Sequence, residues 1–409
     1  MKPIALFLTS VATLTFNVVP ALANPCADIK STTQILDCAE SQAPDVLRAA
    51  IAVERASATM TTAAQRPNPE LSADSFHGTV DGGRASETEV SLSIPFELGG
   101  KRKARIASAE AASARAQAAL VSEKANARTT VLLKLHRLRQ LAHEKEVIEE
   151  SIGTFSKLVS QYSARPTLSP EQQMTLSVFR LSKSEYELRR TSTLGELAEL
   201  ERFFTVYLGL KVEQIRSFLP PAPTKWPPLF TPSGTSLRLR LLDAELTSAQ
   251  ALLSVAESDA WPTLTIGPSL KLQTEQGRSD QLLGFNLSFP IPILNRNQGA
   301  KAEALSEIRL AESNKRLVQA EEDAIRGELR RTYEESMKVL TTSLTHAEIE
   351  QKHRQMEQLF LRGIVPSSLV IEAHRNYVEL ESLRNERELK AIEAFALLSA
   401  LNGRPLEAL

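Results

Sequence analysis

The fold is decided by an alternating stretch in the second half of the chain, Pro262-Thr-Leu-Thr-Ile-Gly-Pro-Ser-Leu-Lys-Leu272. From Leu264 to Leu272 every second residue is apolar or proline, and small or polar residues stand between them. A period of two predicts a β-strand with one apolar and one polar face. About ten residues is also the length of a tilted strand that crosses a bilayer. The alternative is a half-buried strand of a soluble sandwich, which has the same period.

Three more stretches extend this pattern. Residues 283–289 and 90–96 alternate clearly, and residues 70–77 alternate weakly. The rest of the chain offers no further β partner. Four strands cannot close a barrel, and an open strand edge is not viable in lipid. If the strands lie in a membrane, several chains must share one barrel, and three chains would supply about twelve strands, a plausible even number.

The chain is a tandem repeat. Pro69-Glu-Leu-Ser is similar to Pro262-Thr-Leu-Thr, and Leu92-Ser-Ile-Pro is similar to Leu287-Ser-Phe-Pro. Each strand pair follows an amphipathic helix and precedes a long helix, a break and another helix. Helices are predicted at residues 44–65, 100–163, 170–210, 235–259, 297–362 and 366–402. The predicted units are an N-terminal segment (24–43), a first repeat (44–218), a Pro-rich linker (219–234) and a second repeat (235–409).

Helix lengths constrain the architecture. The two longest predicted helices would each extend about 95–100 Å at about 1.5 Å per residue. Two shorter helices stacked end to end match each of them. The predicted fold class is therefore mainly α with a small membrane β part, in which repeated long helical hairpins form a hollow α-barrel tunnel that continues from the shared strands.

The N-terminus has the features of an export signal. Residues 1–23 carry a basic start at Lys2, an apolar run and an A-x-A site, so we expect cleavage after Ala23. Residues before Cys26 do not form a lipid-anchor site. Export permits a disulfide between Cys26 and Cys38, the only two cysteines. The alternative is two free thiols in a loose segment. Beyond the signal, no apolar run reaches the about 18–20 residues of a membrane helix.

Several motifs together carry a family resemblance. They are Pro67-Asn-Pro-Glu-Leu71, Phe96-Glu-Leu-Gly-Gly-Lys-Arg102, Phe289-Pro-Ile-Pro-Ile-Leu-Asn-Arg-Asn-Gln-Gly299, and the stretch from Leu361-Arg-Gly363 through Pro366-Ser367 to Ile371-Glu-Ala-His-Arg375. The chain resembles the TolC-like outer-membrane efflux proteins over nearly its whole mature length. It is most similar to their cobalt-zinc-cadmium (CzcC-type) heavy-metal branch.

The resemblance implies a passive channel in the outer membrane of a Gram-negative bacterium. It implies a homotrimer with a twelve-stranded barrel in lipid and a helical tunnel in the periplasm. It also implies docking on a periplasmic adaptor (membrane fusion) protein and an RND-type, proton-driven inner-membrane pump that exports heavy-metal cations. The first helix break departs from the metal branch, because Pro166-Thr167 stands where a Gly-Lys pair is common.

The two helix breaks are the candidate docking tips. A tip must turn sharply and expose side chains; Gly363 permits a tight turn, and Pro170 and Pro366 suit the first turn of the following helix. Ser169 and Ser367 are candidate helix caps. The candidate docking residues are Arg165, Ser169, Pro170, Arg362, Gly363, Pro366 and Ser367, and the alternative is that they only form turns. Glu171 and Glu372 near the predicted pore entrance are candidates for favouring cations.

No catalytic or cofactor-binding constellation is evident, so an enzyme is the least favoured class. Gly99-Gly100-Lys101 lacks the remainder of a phosphate loop. His136 and His143 are seven residues apart, as are His346 and His353; about 10.5 Å of helix separates each pair, too far for one metal ion. We therefore expect no metal site. The net charge of −1 does not favour nucleic acid. Alternatives are the same channel exporting organic compounds, or a periplasmic coiled-coil adaptor with a single helical hairpin.

Overall fold

The computed structural model describes residue 26 and residues 29–80, 82–229, 234–275 and 277–404. The predicted signal peptide and its cleavage site after Ala23 lie outside the described residues. Among the described helices, none combines the length and apolar character needed to cross a membrane.

The described chain is mostly helical, with four strands. The helices are α1 (Thr32–Gln42), α2 (Pro44–Ala64), α3 (Lys101–Ser163), α4 (Pro170–Leu208), α5 (Val212–Ile215), α6 (Leu237–Ser258), α7 (Gln298–Thr342), α8 (His346–Leu361) and α9 (Ser367–Leu401). The strands are β1 (Glu70–Val80), β2 (Gly83–Glu97), β3 (Thr263–Glu275) and β4 (Arg278–Ser288). A helix, a strand pair, a long helix and a returning helix thus occur twice in the same order, which confirms the predicted fold class for the single chain. Two hairpins, α3–α4 and α8–α9, also exclude the single hairpin expected of an adaptor.

All four strands form one antiparallel sheet in the order β1-β2-β3-β4. The register places apolar residues opposite one another across the sheet, as with Val90 and Leu270 or Ile266 and Leu287. Gly267 fits close to β2: a Cβ there would lie 1.7 Å from the carbonyl oxygen of Leu92. Glycine is therefore required for β2 and β3 to approach at this point.

Helix α3 is the longest element, with 63 residues and a length of about 95 Å at about 1.5 Å per residue. Alanine-rich sequence near its start lets neighbouring helices approach closely. Along its half nearer the α3–α4 turn it packs against α4, where the rings of Phe155 and Phe179 lie 6.1 Å apart. At the other end it packs against α2 and α6. Shorter helices thus cover the length of α3 in succession, as the helix lengths predict.

The prediction of one continuous helix over 297–362 is wrong, because α7 ends at Thr342 and α8 begins at His346. Thr345 caps α8: its hydroxyl accepts from the backbone N–H of Glu348, and the Glu348 carboxylate accepts from the backbone N–H of Thr345. Arg384 of α9 donates to the carbonyl oxygen of Leu344 at 2.9 Å. The break is therefore stabilised by a capping box and by a side chain that satisfies a freed carbonyl group.

Two apolar clusters hold the helices together. The larger one joins α1, the middle of α3, the ends of α4 and α9, and part of α7. The smaller one lies between the two hairpins and includes Val147, Ile148, Phe155, Leu158, Phe179, Tyr186, Ile349, Tyr377 and Val378. The hairpins therefore share one core towards their turns.

The N-terminal segment is pinned to the larger cluster. The sulfurs of Cys26 and Cys38 are joined as a disulfide, with the two Cα atoms 5.3 Å apart. Helix α1 was not predicted; the Ser31 hydroxyl caps it by accepting from the backbone N–H of Gln34, and Arg128 of α3 donates to its acidic side chains. Cys38 is fully buried. The alternative of a loose segment with free thiols does not match this arrangement.

Residues 219–229 contain no helix or strand, as the prolines predict. The stretch is packed, because Trp226 contacts the ring of Tyr333 in α7 at 6.1 Å between centroids. The Tyr333 hydroxyl donates to the carbonyl oxygen of Pro227 at 2.5 Å. Residues 219–229 are thus packed against α7 of the second repeat.

Candidate functional site

One face of the sheet is apolar and exposed. On β4 the side chains of Leu283, Phe285 and Leu287 are 89%, 65% and 56% exposed. The other face is polar: Lys271 pairs with Glu87 across the sheet, with 2.6 Å between Nζ and Oε1. Soluble monomers rarely expose a continuous apolar face of this kind. The face therefore needs an apolar environment.

The sheet has two open edges. In the described part of the chain, β1 pairs only with β2 and β4 pairs only with β3. Each edge presents unpaired backbone N–H and C=O groups, which are a ready template for another strand. An apolar environment raises the cost of leaving them unpaired. The apolar face therefore needs an apolar environment, and in that environment each open edge needs a strand from another chain.

The junction from β2 to α3 explains one of the family motifs. Gly99 has φ +69°, and a Cβ there would lie 2.3 Å from the indole of Trp261. Glu97 forms an ion pair with Arg105 of α3. Arg102 donates to the carbonyl oxygen of Ala64, the last residue of α2, at 2.8 Å. The motif therefore fixes the angle between the sheet and the helices.

The second strand pair uses a related device. Asn297, which precedes α7, has φ +59°, and its side-chain amide donates to the carbonyl oxygen of Ala256 near the end of α6 at 2.9 Å. In both halves, a polar side chain beside the start of the long helix thus binds the end of the preceding short helix. This hydrogen bond gives Asn297, within the motif that ends at Gly299, a structural role at the start of α7.

The first tip joins α3 to α4. Ser169 caps α4 as predicted: its hydroxyl accepts from the backbone N–H of Gln172, whose side chain in turn accepts from the backbone N–H of Ser169. Pro170 is the first helical residue. Arg165 is exposed and stacks its guanidinium 4.4 Å from the ring centroid of Tyr162. The tip is an ordered turn with an exposed cation.

The second tip joins α8 to α9, and two of its predicted roles are wrong. Gly363 has φ +71°, so it turns the chain as predicted. Pro366, however, is the residue before the helix, in an extended conformation with ψ 156°, and not part of its first turn. Ser367 does not cap α9, because it is the first helical residue and not the residue before the helix. The residue in the cap position is Pro366, whose side chain cannot accept a hydrogen bond.

The two tips lie at the same end of the helical hairpins. Tyr162, just before the first tip, and Phe360, just before the second, both pack on the smaller apolar cluster. Glu171 is exposed in the first turn of α4. Glu372 is exposed on α9, with a carboxylate oxygen 3.8 Å from the guanidinium of Arg375. All candidate docking residues and both candidate pore-entrance acids thus belong to one end of the molecule.

The structure brings histidines together in a way that one-helix spacing did not predict. His353 of α8 and His374 of α9 lie 3.2 Å apart between Nε2 and Nδ1. His143 of α3 and His346 of α8 meet edge to face, with ring centroids 5.8 Å apart. No pair on a single helix can bind one metal ion, but pairs from different helices are close enough. His136 is fully buried, and burial, with a smaller effect of Arg139, lowers its pKa to about 3.

Comparison with known proteins finds similarity to outer membrane efflux proteins. The model of the outer membrane efflux protein family matches residues 35–166. The cobalt-zinc-cadmium resistance protein CzcC of Cupriavidus metallidurans is 28% identical over 253 residues, covering 59% of this chain and 58% of that protein. The nickel-cobalt-cadmium resistance protein NccC of Alcaligenes xylosoxydans is 26% identical over 301 residues, covering 70% of this chain and 66% of that protein. The chain thus spans less than two thirds of the length of the curated relatives it matches.

The fold is also that of a solved channel. The CmeC outer membrane channel of Campylobacter jejuni superposes with a TM-score of 0.69, covering 92% of this chain and 86% of that chain at 12% identity. Such a low identity shows the fold alone. Together, the matched family segment, the two curated relatives and the shared fold confirm the resemblance predicted from the sequence, to the TolC-like outer membrane efflux proteins.

Proposed function

We propose that this chain is one of three identical subunits of an outer-membrane channel that serves as the passive exit duct of a tripartite heavy-metal efflux system. The observation that carries the proposal is the four-stranded sheet with an exposed apolar face and two open edges, joined directly to a helix of 63 residues. The apolar face of the sheet would contact lipid, and the helix would extend from the sheet away from the membrane.

Closure of the barrel follows from the edges. If β1 of one subunit pairs with β4 of the next, three subunits form a closed ring of about twelve strands, within the range of outer-membrane barrels. The apolar face then lies against lipid and the polar face lines the interior. The long helices continue the wall on the periplasmic side. No catalytic step is assigned, because a duct needs only a continuous path and the pump supplies the energy.

The tips are proposed to dock the periplasmic adaptor. They lie at the end of α3 remote from the sheet, so they are the parts of the chain that reach towards an inner-membrane pump. Replacing Gly363 with aspartate should reduce cross-linking of adaptor to channel while leaving the trimer intact. The matched control is Gly209→Asp, since Gly209 also has positive φ (+70°) and open space around it but lies at the other end of α4. Equal cross-linking by both variants would contradict docking at this tip.

Heavy-metal cations are the proposed cargo, supported by what the names of the two curated relatives say of those proteins. Glu171 and Glu372, both exposed near the tips, would favour cations at the pore entrance. The proposed partners are therefore a periplasmic adaptor and a proton-driven pump that delivers metal ions.

Deletion of the gene tests the cargo. The deletion strain should become more sensitive to cobalt, zinc, cadmium or nickel salts, and expression of the wild-type chain should restore growth. Sensitivity that appears only towards organic compounds, with unchanged metal tolerance, would assign the duct to drug export and contradict the metal proposal.

A further inference from the structure

Three helices contribute histidine and glutamate side chains to layers spaced seven residues apart. Seven residues are two helical turns, about 10.5 Å. Because α9 runs antiparallel to α3 and α8, residue numbers rise by seven from layer to layer in α3 and α8 and fall by seven in α9. The residues of the three layers are His136 with Glu388, then His143 with Glu381 and His346, then Glu150 with His374 and His353.

The layer nearest the tips has the geometry of a metal site. Glu357, one turn beyond His353 on α8, places its Oε1 3.6 Å from Nε2 of His374. One nitrogen from each histidine and one carboxylate oxygen all lie within 4.8 Å of one another. Transition-metal ions bind nitrogen and oxygen at about 2.0–2.2 Å, so their ligand atoms lie roughly 3–4 Å apart. Only a small contraction separates these three groups from that arrangement.

The two histidines are buried with polar atoms that lack a hydrogen-bond partner. His374 is fully buried and His353 is 5% exposed. Nε2 of His374 and Nδ1 of His353 have no hydrogen-bond partner within the described residues. Buried polar atoms are normally satisfied. A cation bound between the unpaired imidazole nitrogen and the facing carboxylate would give both groups a partner.

The Nδ1 side of His374 is held by Ser151. The Ser151 hydroxyl donates to the carbonyl oxygen of Val147 at 2.9 Å, and its oxygen, 3.1 Å from Nδ1 of His374, can accept a proton from that nitrogen. In this tautomer Nε2 of His374 carries the lone pair and lies 3.6 Å from Oε1 of Glu357. Such hydrogen bonds behind a ligand orient it towards the ion.

The carboxylate of Glu357 is also held in place. The hydroxyl of Thr154 in α3 donates to its Oε1 at 3.0 Å. A hydrogen bond of this kind orients a carboxylate ligand.

We propose that His353, Glu357 and His374 bind one divalent transition-metal ion of the Zn²⁺ or Co²⁺ class in each chain. The ion would join α8 to α9 close to the second tip. The neighbouring layer is less suited, because His346 already hydrogen-bonds to Glu381 there and His143 is 37% exposed. The proposal does not depend on which cargo the channel carries, since it rests on these side chains alone.

Titration with Co²⁺ tests the site, because cobalt bound to nitrogen and oxygen ligands has visible absorption bands. Full-length protein in detergent, purified with a tag that contains no histidine, should bind one Co²⁺ per chain, and Zn²⁺ should displace it. Glu357→Gln is nearly isosteric and part-exposed, so it should fold and weaken binding by at least about tenfold. The double variant His353→Gln, His374→Gln should lose the bands.

The matched control is His143→Gln, in the neighbouring layer, which should bind Co²⁺ as the wild type does. Two results would overturn the proposal: no Co²⁺ binding by the wild type beyond that of the double variant, or loss of the bands in His143→Gln with retention in Glu357→Gln. Circular dichroism and the oligomer mass of each variant establish that folding is intact. Since the readout is metal per chain, its failure leaves the channel proposal standing.

Discussion

Two adjacent leucines on β4 are predicted to lose very different amounts of stability when each is replaced by lysine. Leu283 lies on the apolar face, 89% exposed, whereas Leu282 lies on the polar face opposite Lys271. The strand has 11 residues, with five on either side of Leu283. At about 3.3 Å per residue and a tilt of about 45°, the strand rises about 26 Å, close to the thickness of the apolar band of outer-membrane barrels. Leu283 would thus lie near the bilayer midplane.

A lysine at this depth costs about 2–4 kcal/mol per chain, and about 0–1 kcal/mol near the interface. Leu283→Lys should therefore shift the unfolding equilibrium by roughly 30- to 1,000-fold per chain, since about 1.4 kcal/mol is tenfold. Three copies in one barrel multiply the penalty to about 6–12 kcal/mol. Leu282→Lys faces the interior and should cost at most about 1 kcal/mol, from repulsion with Lys271.

The assay is urea unfolding of channels inserted into lipid vesicles, followed by tryptophan fluorescence, together with the fraction of each variant recovered as trimer from outer membranes. The prediction is a large loss for Leu283→Lys and a small one for Leu282→Lys. Equal effects, or a neutral Leu283→Lys, would refute the assignment of the apolar face to lipid.

Three further outcomes test local structure by thermal or urea unfolding. Gly99→Ala should destabilise the protein more than Gly100→Ala. Both glycines have positive φ, where a side chain costs about 1–2 kcal/mol, but only at Gly99 would the new Cβ lie 2.3 Å from Trp261. Equal losses of stability would contradict this packing. Ser169→Ala should cost about 1 kcal/mol by removing a helix cap, whereas Ser367→Ala should cost little, and the reverse order would contradict the two helix starts. Reducing the N-terminal disulfide, which links residues 12 apart, should cost about 3 kcal/mol, and an unchanged midpoint would show that α1 does not need it.

The strands and most helix ends were predictable because each is set by local sequence. Alternation in Leu264–Leu272 identifies the faces of β3, and Ser169-Pro170 identifies the start of α4. The break before α8 was also readable, since Thr345 and Glu348 form a capping box, but the helical periodicity on either side concealed it. Ser367 was misassigned because a proline before a serine does not reveal which of the two is the first helical residue.

The histidine layers could not be predicted, for a different reason. Seven-residue spacing along one helix is visible in the sequence, and it argues against a single pair binding a metal ion. The register between α8 and α9, which places His353 beside His374, depends on the turn at Gly363 and on packing around Phe155 and Tyr377. Such non-local register is not readable from a single sequence.

The most direct test of the central claim is the mass of the detergent-solubilised protein, measured by light scattering with the detergent contribution subtracted, combined with a disulfide cross-link engineered between β1 and β4. The trimeric channel predicts three chain masses per particle and a covalent trimer on oxidation, since each β1 meets the β4 of a neighbour. A stable monomer without detergent, or a cross-link formed only within one chain, would contradict the shared barrel.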